Sequence, residues 1–362
     1  MHQPPAAGAR LVPADEHVKE VQALTKRLGG RVGLAGVLGD LNRSARVVDV
    51  PGEAPVWGFR WSEEDNRSHR WFPQGITTSA DQGDQESVAG HRVVCTSWYS
   101  QVVDDLHKGS RLTFVDVTDP NNPRYRHVLL VEAVVREDGL VDVASVKLHA
   151  GGIVWHGPYL HVAGTTRGIY SFCLDDILRV YSGGDSRKLQ IYGYGRVDSF
   201  GYRYVLPVRF KYDAQADEGF EKMRYSFLSI DRSARPHQLV AGEYGGRGTS
   251  TRLVSYEIDP ETSLLRTHED GHVRPLTLED AGLRAMQGVT VVDGTYYVTT
   301  SSGRYGRGSL WVGRPGSFKR FAHVLPVGPE DITYWPSTGQ LWSLTEYPAR
   351  RYVFAMDRSD FS

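Results

Sequence analysis

Two stretches of this chain, residues 149–172 and 286–312, repeat the same order of residue types. Each has a small-residue turn with glycine, an apolar pair, a second glycine turn and an aromatic strand followed by another strand. Partial copies begin at Pro73, Ser226 and Glu330, and the last two share Gln-Leu in their second strand and Glu-Tyr at its end. Such repetition strongly restricts the fold, because each copy must be one structural unit that packs on its neighbours.

Beyond residue 55, short runs rich in Val, Tyr, Thr and Phe alternate with Gly, Asp, Pro and Asn turns, without a long helical period. A third strand follows each copy, and a fourth, outer strand is visible in "RHVLLV" (126–131) and "AHVLPV" (322–327). Units of up to four strands at a period of roughly 40–50 residues are typical of propellers. The five copies therefore predict an all-β chain folded as a five-bladed β-propeller. A sandwich or an irregular barrel is the alternative.

The last repeat reaches the end of the printed chain at Ser362 before its outer strand. We expect an N-terminal strand, "RVGLAGVL" (31–38) or "ARVVDVP" (45–51), to complete this blade, because an open edge is an aggregation hazard. The charge-rich "WSEEDNRSHRW" (61–71) is interpreted as a solvated loop that flanks the first blade.

One short helix is predicted within residues 14–30, because Val18, Val21 and Leu28 lie on one face and Gly29 with Gly30 ends the pattern. We interpret residues 1–30 as an N-terminal extension that carries this helix, and residues 31–362 as a single propeller domain.

Charge and hydropathy exclude several partner classes. A net charge of −1 supplies no basic field for nucleic acid, and no apolar run approaches a membrane span of about 18 residues. "MHQPPAAGAR" has no basic start or apolar core of a signal peptide, so a cytoplasmic location is expected, the alternative being an exported protein whose signal has been removed. Cys95 and Cys173 lie in apolar runs, which predicts two reduced, buried thiols on adjacent blades.

The stretches "WFPQGITTSAD", "HAGGIVWHGPYLHVAGT", "YRYVLPV", "LVAGEYG", "MQGV" and "GPEDITYWPSTGQLWSLTEYPARRYVFA" together resemble an uncharacterised family of actinobacterial propeller proteins, many of them exported. The resemblance covers roughly residues 55–357. It implies the propeller fold and no particular reaction.

The repeat also predicts where a site would form. In a four-stranded blade, the loop that leads into the first strand and the loop that follows the second strand share one face. The first set of loops carries Gln74, His149, Gln287, Glu330 and Asp331, and the second carries Trp98, Tyr99, Glu243, Tyr244, Glu346 and Tyr347. We expect all of these side chains at one mouth of the central channel.

We infer the roles of these residues by asking whether each one differs from the equivalent residue in the other copies of the repeat. His149, Glu330 and Asp331 have no counterparts in the other copies, which favours Glu330 or Asp331 with His149 as an acid–base pair. Glu243 and Glu346 are equivalent to each other, which favours orienting or substrate-binding roles, or an ion pair with arginine. Clustered carboxylates raise one another's pKa, so that one acts as acid while another acts as base.

Two functions remain open at this point. The first is a non-redox enzyme, of lyase, cyclase or hydrolase type, acting on a small molecule, such as a natural product, held by Gln74, Gln287, Trp98 and the tyrosines. The second is a non-catalytic propeller that binds a glycan, peptide or protein. The zinc-protease, Walker A and nucleophile-elbow motifs are absent from the sequence, so no cofactor is evident, although Ca²⁺ or Mg²⁺ at the carboxylates is compatible with it.

Overall fold

The computed structural model describes residues 6–181, 184–192, 196–246 and 248–362, and strands predominate in these residues. The expectation of a mainly β chain with few helices is confirmed. The predicted N-terminal helix is α1 (Val18–Leu28), which buries Val21, Leu24 and Leu28 and ends at Gly29 in the left-handed conformation. Three further short helices are α2 (Gly33–Leu38), α3 (Glu63–Arg67) and α4 (Ser79–Gln82).

Four strands belong to the N-terminal region: β1 (Ala9–Pro13), β2 (Arg43–Ser44), β3 (Arg46–Val47) and β4 (Trp57–Arg60). Strand β1 pairs with a strand at residues 210–216, far along the chain. The apolar face of α1 packs in a cluster with Leu129, Val131 and Val205. The proposed domain boundary at residue 30 stays a prediction.

Five antiparallel meanders follow in chain order. Meander 1 has β5 (Trp71–Thr78), β6 (Val93–Ser100), β7 (Ser110–Asp116) and β8 (Arg124–Val135), with β9 (Val141–Ser145) paired on β8. Meander 2 has β10 (Ile153–His156), β11 (Tyr159–Ala163), β12 (Ile169–Cys173) and, as its fourth strand, β17 (Phe210–Ala216). The segment between β12 and β17 contains four short strands that lie outside this meander: β13 (Leu178–Arg179), β14 (Leu189–Ile191), β15 (Val197–Ser199) and β16 (Tyr204–Pro207).

The remaining meanders are shorter. Meander 3 has β18 (Phe227–Asp231), β19 (Gln238–Gly242), β20 (Arg252–Glu257) and β21 (Thr277–Asp280). Meander 4 has β22 (Met286–Val292), β23 (Thr295–Ser302), β24 (Gly306–Arg314) and β25 (Ser317–Phe321). Meander 5 has β26 (Pro329–Trp335), β27 (Gln340–Thr345) and β28 (Tyr352–Asp357). Single 3₁₀ turns lie at Leu174–Asp176, Pro336–Thr338 and Arg358–Phe361.

The first strands of the five meanders form a closed ring. Strand β5 contacts β10, β10 contacts β18, β18 contacts β22, β22 contacts β26, and β26 contacts β5. Apolar side chains fill the space between neighbouring meanders, as where Phe114 of meander 1 packs with Trp155 and Phe172 of meander 2. A ring of meanders around an axis is the arrangement on which the propeller prediction depends.

Glycines make the close approach of the inner strands possible. A Cβ atom on Gly75 would lie 2.9 Å from the backbone nitrogen of Ile153, and one on Gly152 would lie 1.9 Å from that of Leu228. A Cβ atom on Gly288 would lie 2.6 Å from the Cα atom of Asp331. The repeated glycine of the sequence is therefore a packing requirement at the axis.

Meander 5 is completed by the N-terminal region, but through a different segment from the two that we expected. Strand β4 (57–60) pairs with β28, and β3 pairs with β4 on the outside. The first expected segment, 31–38, contains helix α2 instead, and the second, 45–51, supplies only the two residues of β3. The motif "AHVLPV" (322–327) forms no strand, since the fourth strand of meander 4 precedes it at 317–321.

The interpretation of 61–71 as a solvated loop was wrong. This segment contains helix α3, in which Asp65 and Asn66 are buried. Asp65 accepts hydrogen bonds from Arg111 and Tyr125, so the charge is held inside the protein by specific donors.

Both cysteines are free thiols, on meanders 1 and 2. Cys95 is buried as expected, whereas Cys173 at the end of β12 is only partly buried. The expectation was therefore wrong for Cys173.

We expect Gly152→Ala to lower the free energy of unfolding by about 3 kcal/mol, because the new methyl group would overlap the backbone of the next inner strand. Denaturant unfolding followed by tryptophan fluorescence measures this change. Gly83→Ala is the matched control, since Gly83 has extended backbone and its added methyl group meets no atom within 4 Å. Equal stability of the two variants would contradict the axial packing described here.

We expect a thiol reagent to modify Cys173 slowly in the native protein and Cys95 only after unfolding. Burial raises the pKa of both thiols and suppresses the reactive thiolate, and Cys95 is in addition inaccessible. Mass spectrometry after labelling in buffer and in denaturant distinguishes the two sites. Rapid native labelling of Cys95 would contradict the packing of β6.

Candidate functional site

A cavity of about 600 Å³ opens at one end of the ring of inner strands. Its walls include most of the side chains that the repeat predicted for the channel mouth. These are Gln74, Tyr99, His149, Glu243, Tyr244, Gln287, Glu330, Glu346 and Tyr347. Two predicted residues, Trp98 and Asp331, do not line it.

The convergence follows from strand direction. Gln74, Gln287 and Glu330 lie in the inner strands β5, β22 and β26, each where the register with the second strand shifts, and Tyr99 lies near the end of β6. The pairs Glu243-Tyr244 and Glu346-Tyr347 follow directly after the second strands β19 and β27. Antiparallel strands bring these positions to the same end of each sheet.

Glu330 and Glu346 are the central carboxyl pair of the cavity. Glu330 is 3% exposed, and its Oε1 atom accepts a hydrogen bond from Gln287 Nε2 at 3.1 Å. Glu346 Oε2 accepts one from Gln74 Nε2 at 3.1 Å. The two glutamines, equivalent in the repeat, thus each orient one carboxyl group.

The environment separates the protonation states of the pair. Burial and the negative charges of Glu346 and Asp331 raise the pKa of Glu330 well above its usual range. Burial also raises the pKa of Glu346, but hydrogen bonds from Tyr347 and Gln74 and the charge of Arg351 oppose this rise. The environment therefore favours the protonated form of Glu330 more strongly than that of Glu346.

The carboxylate of Glu243 forms an ion pair with Arg252. Arg252 donates to both carboxylate oxygens, at 2.8 Å and 2.9 Å, and the backbone N–H of Arg224 donates to Oε1 at 2.9 Å. Burial raises the pKa of Glu243, but the donors from Arg252, Ser250 and the backbone of Arg224 outweigh it and hold the pKa below its usual range. Glu243 is thus a fixed anion with little capacity for proton transfer.

His149 stacks on Tyr99, with ring centroids 4.5 Å apart and an angle of 42° between the planes. The imidazole is exposed on the cavity wall, yet the surrounding protein disfavours its charged form and lowers its pKa. Burial and the charge of Glu346 raise the pKa of Tyr99 to about 12. The two rings therefore form a neutral platform at neutral pH.

Asp331 lies beneath the cavity, at the axis, where the equivalent position of the neighbouring repeat is Gly288. It is completely buried, and its Oδ2 atom accepts hydrogen bonds from the backbone N–H groups of Ile76 and Ile153 at 3.2 Å and 3.4 Å. One carboxyl group thus joins three inner strands. Burial raises the pKa of Asp331 well above its usual range despite these donors. The expectation that it faces the mouth with Glu330 was wrong, because at this irregular position of β26 the Asp331 side chain is held at the axis by the two backbone N–H groups.

The alternation of side chains along strand β6 explains the direction of the Trp98 side chain. Tyr99 points into the cavity, so Trp98 points into the core, where it is completely buried and packs on Trp61 with ring centroids 5.0 Å apart. Its indole Nε1 donates to Thr96 Oγ1 at 3.0 Å. The prediction that both residues face the mouth was wrong for Trp98.

Arg224 and Thr165 also line the cavity and were not predicted. Arg224 lies in the loop that leads into β18, as His149 lies in the loop that leads into β10, so the same repeat rule identifies it once the third copy is aligned. Thr165 lies in the loop between β11 and β12, and nothing in the repeat marks it.

Among the described residues, no cluster of three or more His, Cys, Asp or Glu side chains is arranged to hold a metal ion. In the same residues, no helix has the length and apolar character needed to cross a membrane.

No protein-family model matches the sequence, and no curated protein matches it. Among solved structures, a gluconolactonase from Xanthomonas campestris is similar at 14% identity over 98% of this chain and 88% of that chain, with a TM-score of 0.34. A GH43_1 enzyme from Xanthomonas citri shares 10% identity over 93% and 92% of the two chains, with a TM-score of 0.35. A β-propeller domain from Myceliophteria thermophila shares 10% identity over 71% and 93%, with a TM-score of 0.34. Similarity at this level assigns no activity.

We expect Asp331→Asn to fold with a stability close to that of the parent at pH 5, because an amide oxygen accepts the same backbone donors. Asp331→Ala should lower the free energy of unfolding by about 2 kcal/mol, since buried N–H groups lose their acceptor. Denaturant unfolding of the three proteins measures both effects. Full stability of the alanine variant would contradict the axial role.

The difference in stability between the parent protein and Asp331→Asn should also depend on pH. The raised pKa of Asp331 means that folding favours its protonated form, so its contribution is present at low pH and is lost as pH rises through the folded-state pKa. Relative to the asparagine variant, the parent should lose stability between pH 5 and pH 9. A constant difference across this range would show that folding does not raise the pKa of this carboxyl group.

Proposed function

We propose that the protein is a non-redox enzyme that cleaves a C–O bond of a small polar molecule by hydrolysis, with Glu330 as general acid and Glu346 as general base. The observation that carries this proposal is the carboxyl pair in one cavity, with the pKa of Glu330 raised the more strongly of the two. Two carboxyl groups whose environments separate their pKa values are the common basis of acid–base assignments.

The proton transfers follow from these assignments. Protonated Glu330 donates its proton to the oxygen of the leaving group as the C–O bond breaks. Ionised Glu346 takes a proton from the water molecule whose oxygen forms the new bond to carbon. At the end of the cycle Glu330 is ionised and Glu346 is protonated, and exchange with solvent restores both groups.

The other side chains of the cavity bind the substrate in this scheme. The adjacent rings of His149 and Tyr99 present aromatic surface, and Tyr244 and Tyr347 add further aromatic surface with hydroxyl groups, a combination suited to a sugar-like or other polyhydroxylated ring. The volume of about 600 Å³ is within the range of small-molecule sites. Glu243, fixed by Arg252, shapes the wall without transferring protons.

We infer in addition that the five meanders are the blades of a five-bladed propeller whose fifth blade takes its outer strand from β4. The ring of contacts among inner strands supports this count, as does the antiparallel pairing of β28 with β4.

The lyase and cyclase alternatives use the same acid and base. In these reactions the base takes the proton from a carbon or hydroxyl group of the substrate instead of from water.

The second candidate function is non-catalytic binding of a glycan or peptide at the same cavity. The observation that favours it is that both carboxyl groups of the pair already accept hydrogen bonds from glutamines, a geometry equally suited to holding ligand hydroxyl groups. The two functions differ in the effect expected when either carboxyl group is replaced by an amide.

We expect Glu330→Gln and Glu346→Gln each to lower kcat by roughly 10²–10⁴-fold, the usual contribution of a general acid or base, with little change in melting temperature. The assay screens the wild-type protein against nitrophenyl glycosides, nitrophenyl esters and small lactones, and then compares variants on the best substrate. Glu137→Gln, exposed and remote in the turn after β8, is the matched control. Binding of sugars without turnover, with unchanged affinity in both amide variants, would establish the binding function instead.

The pH profile of kcat/KM should be bell-shaped, with both limbs above the ordinary range of glutamate. Activity should fall at low pH as Glu346 is protonated and at high pH as Glu330 ionises, because both pKa values are raised. In Glu330→Gln the alkaline limb assigned to Glu330 should disappear from the residual activity. Its persistence would assign the acid to another group, such as Tyr99.

A further inference from the structure

We propose that a second cavity, on the outer flank of meander 1, binds the phosphate group of a small molecule. This cavity has a volume of about 330 Å³ and is separate from the carboxyl-lined cavity, with which it shares no lining residue. Its walls come from β2, α3, the edge of meander 1 and the loop between β15 and β16.

The walls carry more positive than negative charge. Five cationic side chains line the cavity: Arg43, Lys108, Arg111, Arg126 and Arg203. Three carboxylates are in contact with them: Asp65 with Arg111 and Arg43, Glu64 with Arg43, and Asp40 with Arg126 and Arg203. Within the described residues two positive charges therefore remain uncompensated, which equals the charge of a phosphate dianion.

Asp65 is already engaged by several donors. Its two oxygens accept hydrogen bonds from Arg111 at 2.7 Å and from Tyr125 at 2.7 Å, and one of them contacts His127 Nε2 at 3.0 Å. Glu64 has a side chain that is 74% exposed, so solvent weakens its effect on Arg43. The least compensated cations among the described residues are thus Lys108, which contacts no carboxylate, and the pair Arg126 and Arg203, which share Asp40.

Lys108 is the cation that most lacks an anionic partner. In the described residues its Nζ atom donates to the carbonyl oxygen of Ser186 at 2.9 Å and lies 5.4 Å from the ring centroid of Phe200. Partial burial, together with repulsion from Arg70, Arg111 and Arg187, lowers its pKa. A bound anion at this position would relieve the repulsion among these cations.

Arg111 provides a rigid wall. Its guanidinium group is sandwiched between Trp71 and Trp98, 4.5 Å and 4.6 Å from the ring centroids, and the residue is 3% exposed. Its Nε atom is buried and has no hydrogen-bond partner among the described residues. A concave surface with preorganised arginine and one lysine is well suited to phosphate, because guanidinium groups match its oxygens and the cavity concentrates the positive field.

The experiment measures the binding of inorganic phosphate by isothermal titration calorimetry at constant ionic strength in chloride. We expect saturable binding of one phosphate per chain, which strengthens as phosphate loses its second proton near pH 6–7. Lys108→Gln should weaken this binding by about tenfold or more, the loss expected for one charge-assisted hydrogen bond. Lys319→Gln, which removes an exposed lysine from meander 4, should leave it unchanged.

Three results would overturn the proposal: no saturable binding by the wild-type protein, equal losses in Lys108→Gln and Lys319→Gln, or loss of binding in Glu330→Gln in place of Lys108→Gln. The last result would place the phosphate in the carboxyl-lined cavity. Equal melting temperatures of the variants without phosphate show that each remains folded. Phenyl phosphate is the second probe: tighter binding than inorganic phosphate identifies an organic phosphate as the ligand, and equal binding identifies phosphate itself.

Discussion

The contact between inner strands at the axis is the constraint on which the rest of this structure depends. Glycines at 75, 152 and 288 allow the backbones to meet, and the buried carboxyl group of Asp331 accepts N–H groups from two further strands. If the inner strands were held further apart, the side chains at their beginnings would not enclose a cavity. The positions of Glu330, Gln74 and Gln287 thus depend on a packing feature that lies below them.

Much of the candidate site could be predicted from the repeat, because the repeat identifies which end of each strand faces the cavity. Gln74, His149, Gln287 and Glu330 were predicted by this rule alone, and all four line the cavity. The rule failed where two adjacent residues were assigned to one face. Trp98 points away from the cavity because residues of a regular strand alternate, whereas Asp331 lies at an irregular position of β26 and is held at the axis.

Other features depend on contacts between distant parts of the chain, which a single sequence does not reveal. An ion pair of Glu243 with arginine was one of the roles that the sequence left open, and the structure contains it with Arg252. The burial of Asp65 was missed, because the charged run around it is typical of a solvated loop and its partners Arg111 and Tyr125 lie far along the chain. The use of 57–60 as the closing strand, in place of 31–38 or 45–51, is likewise decided by pairing with β28.

The pairing of β4 with β28 also has a consequence for how the chain folds. Residues 57–60 cannot pair until residues 352–355 have been synthesised. Because this contact spans most of the chain, its formation carries a large loop-closure cost. During synthesis nearly all of the 362 residues are made before the partner of β4 exists, and both edges of the unfinished ring stay open to other chains. Closure is therefore a late step in folding, and the rate of chain completion sets how long those edges are exposed.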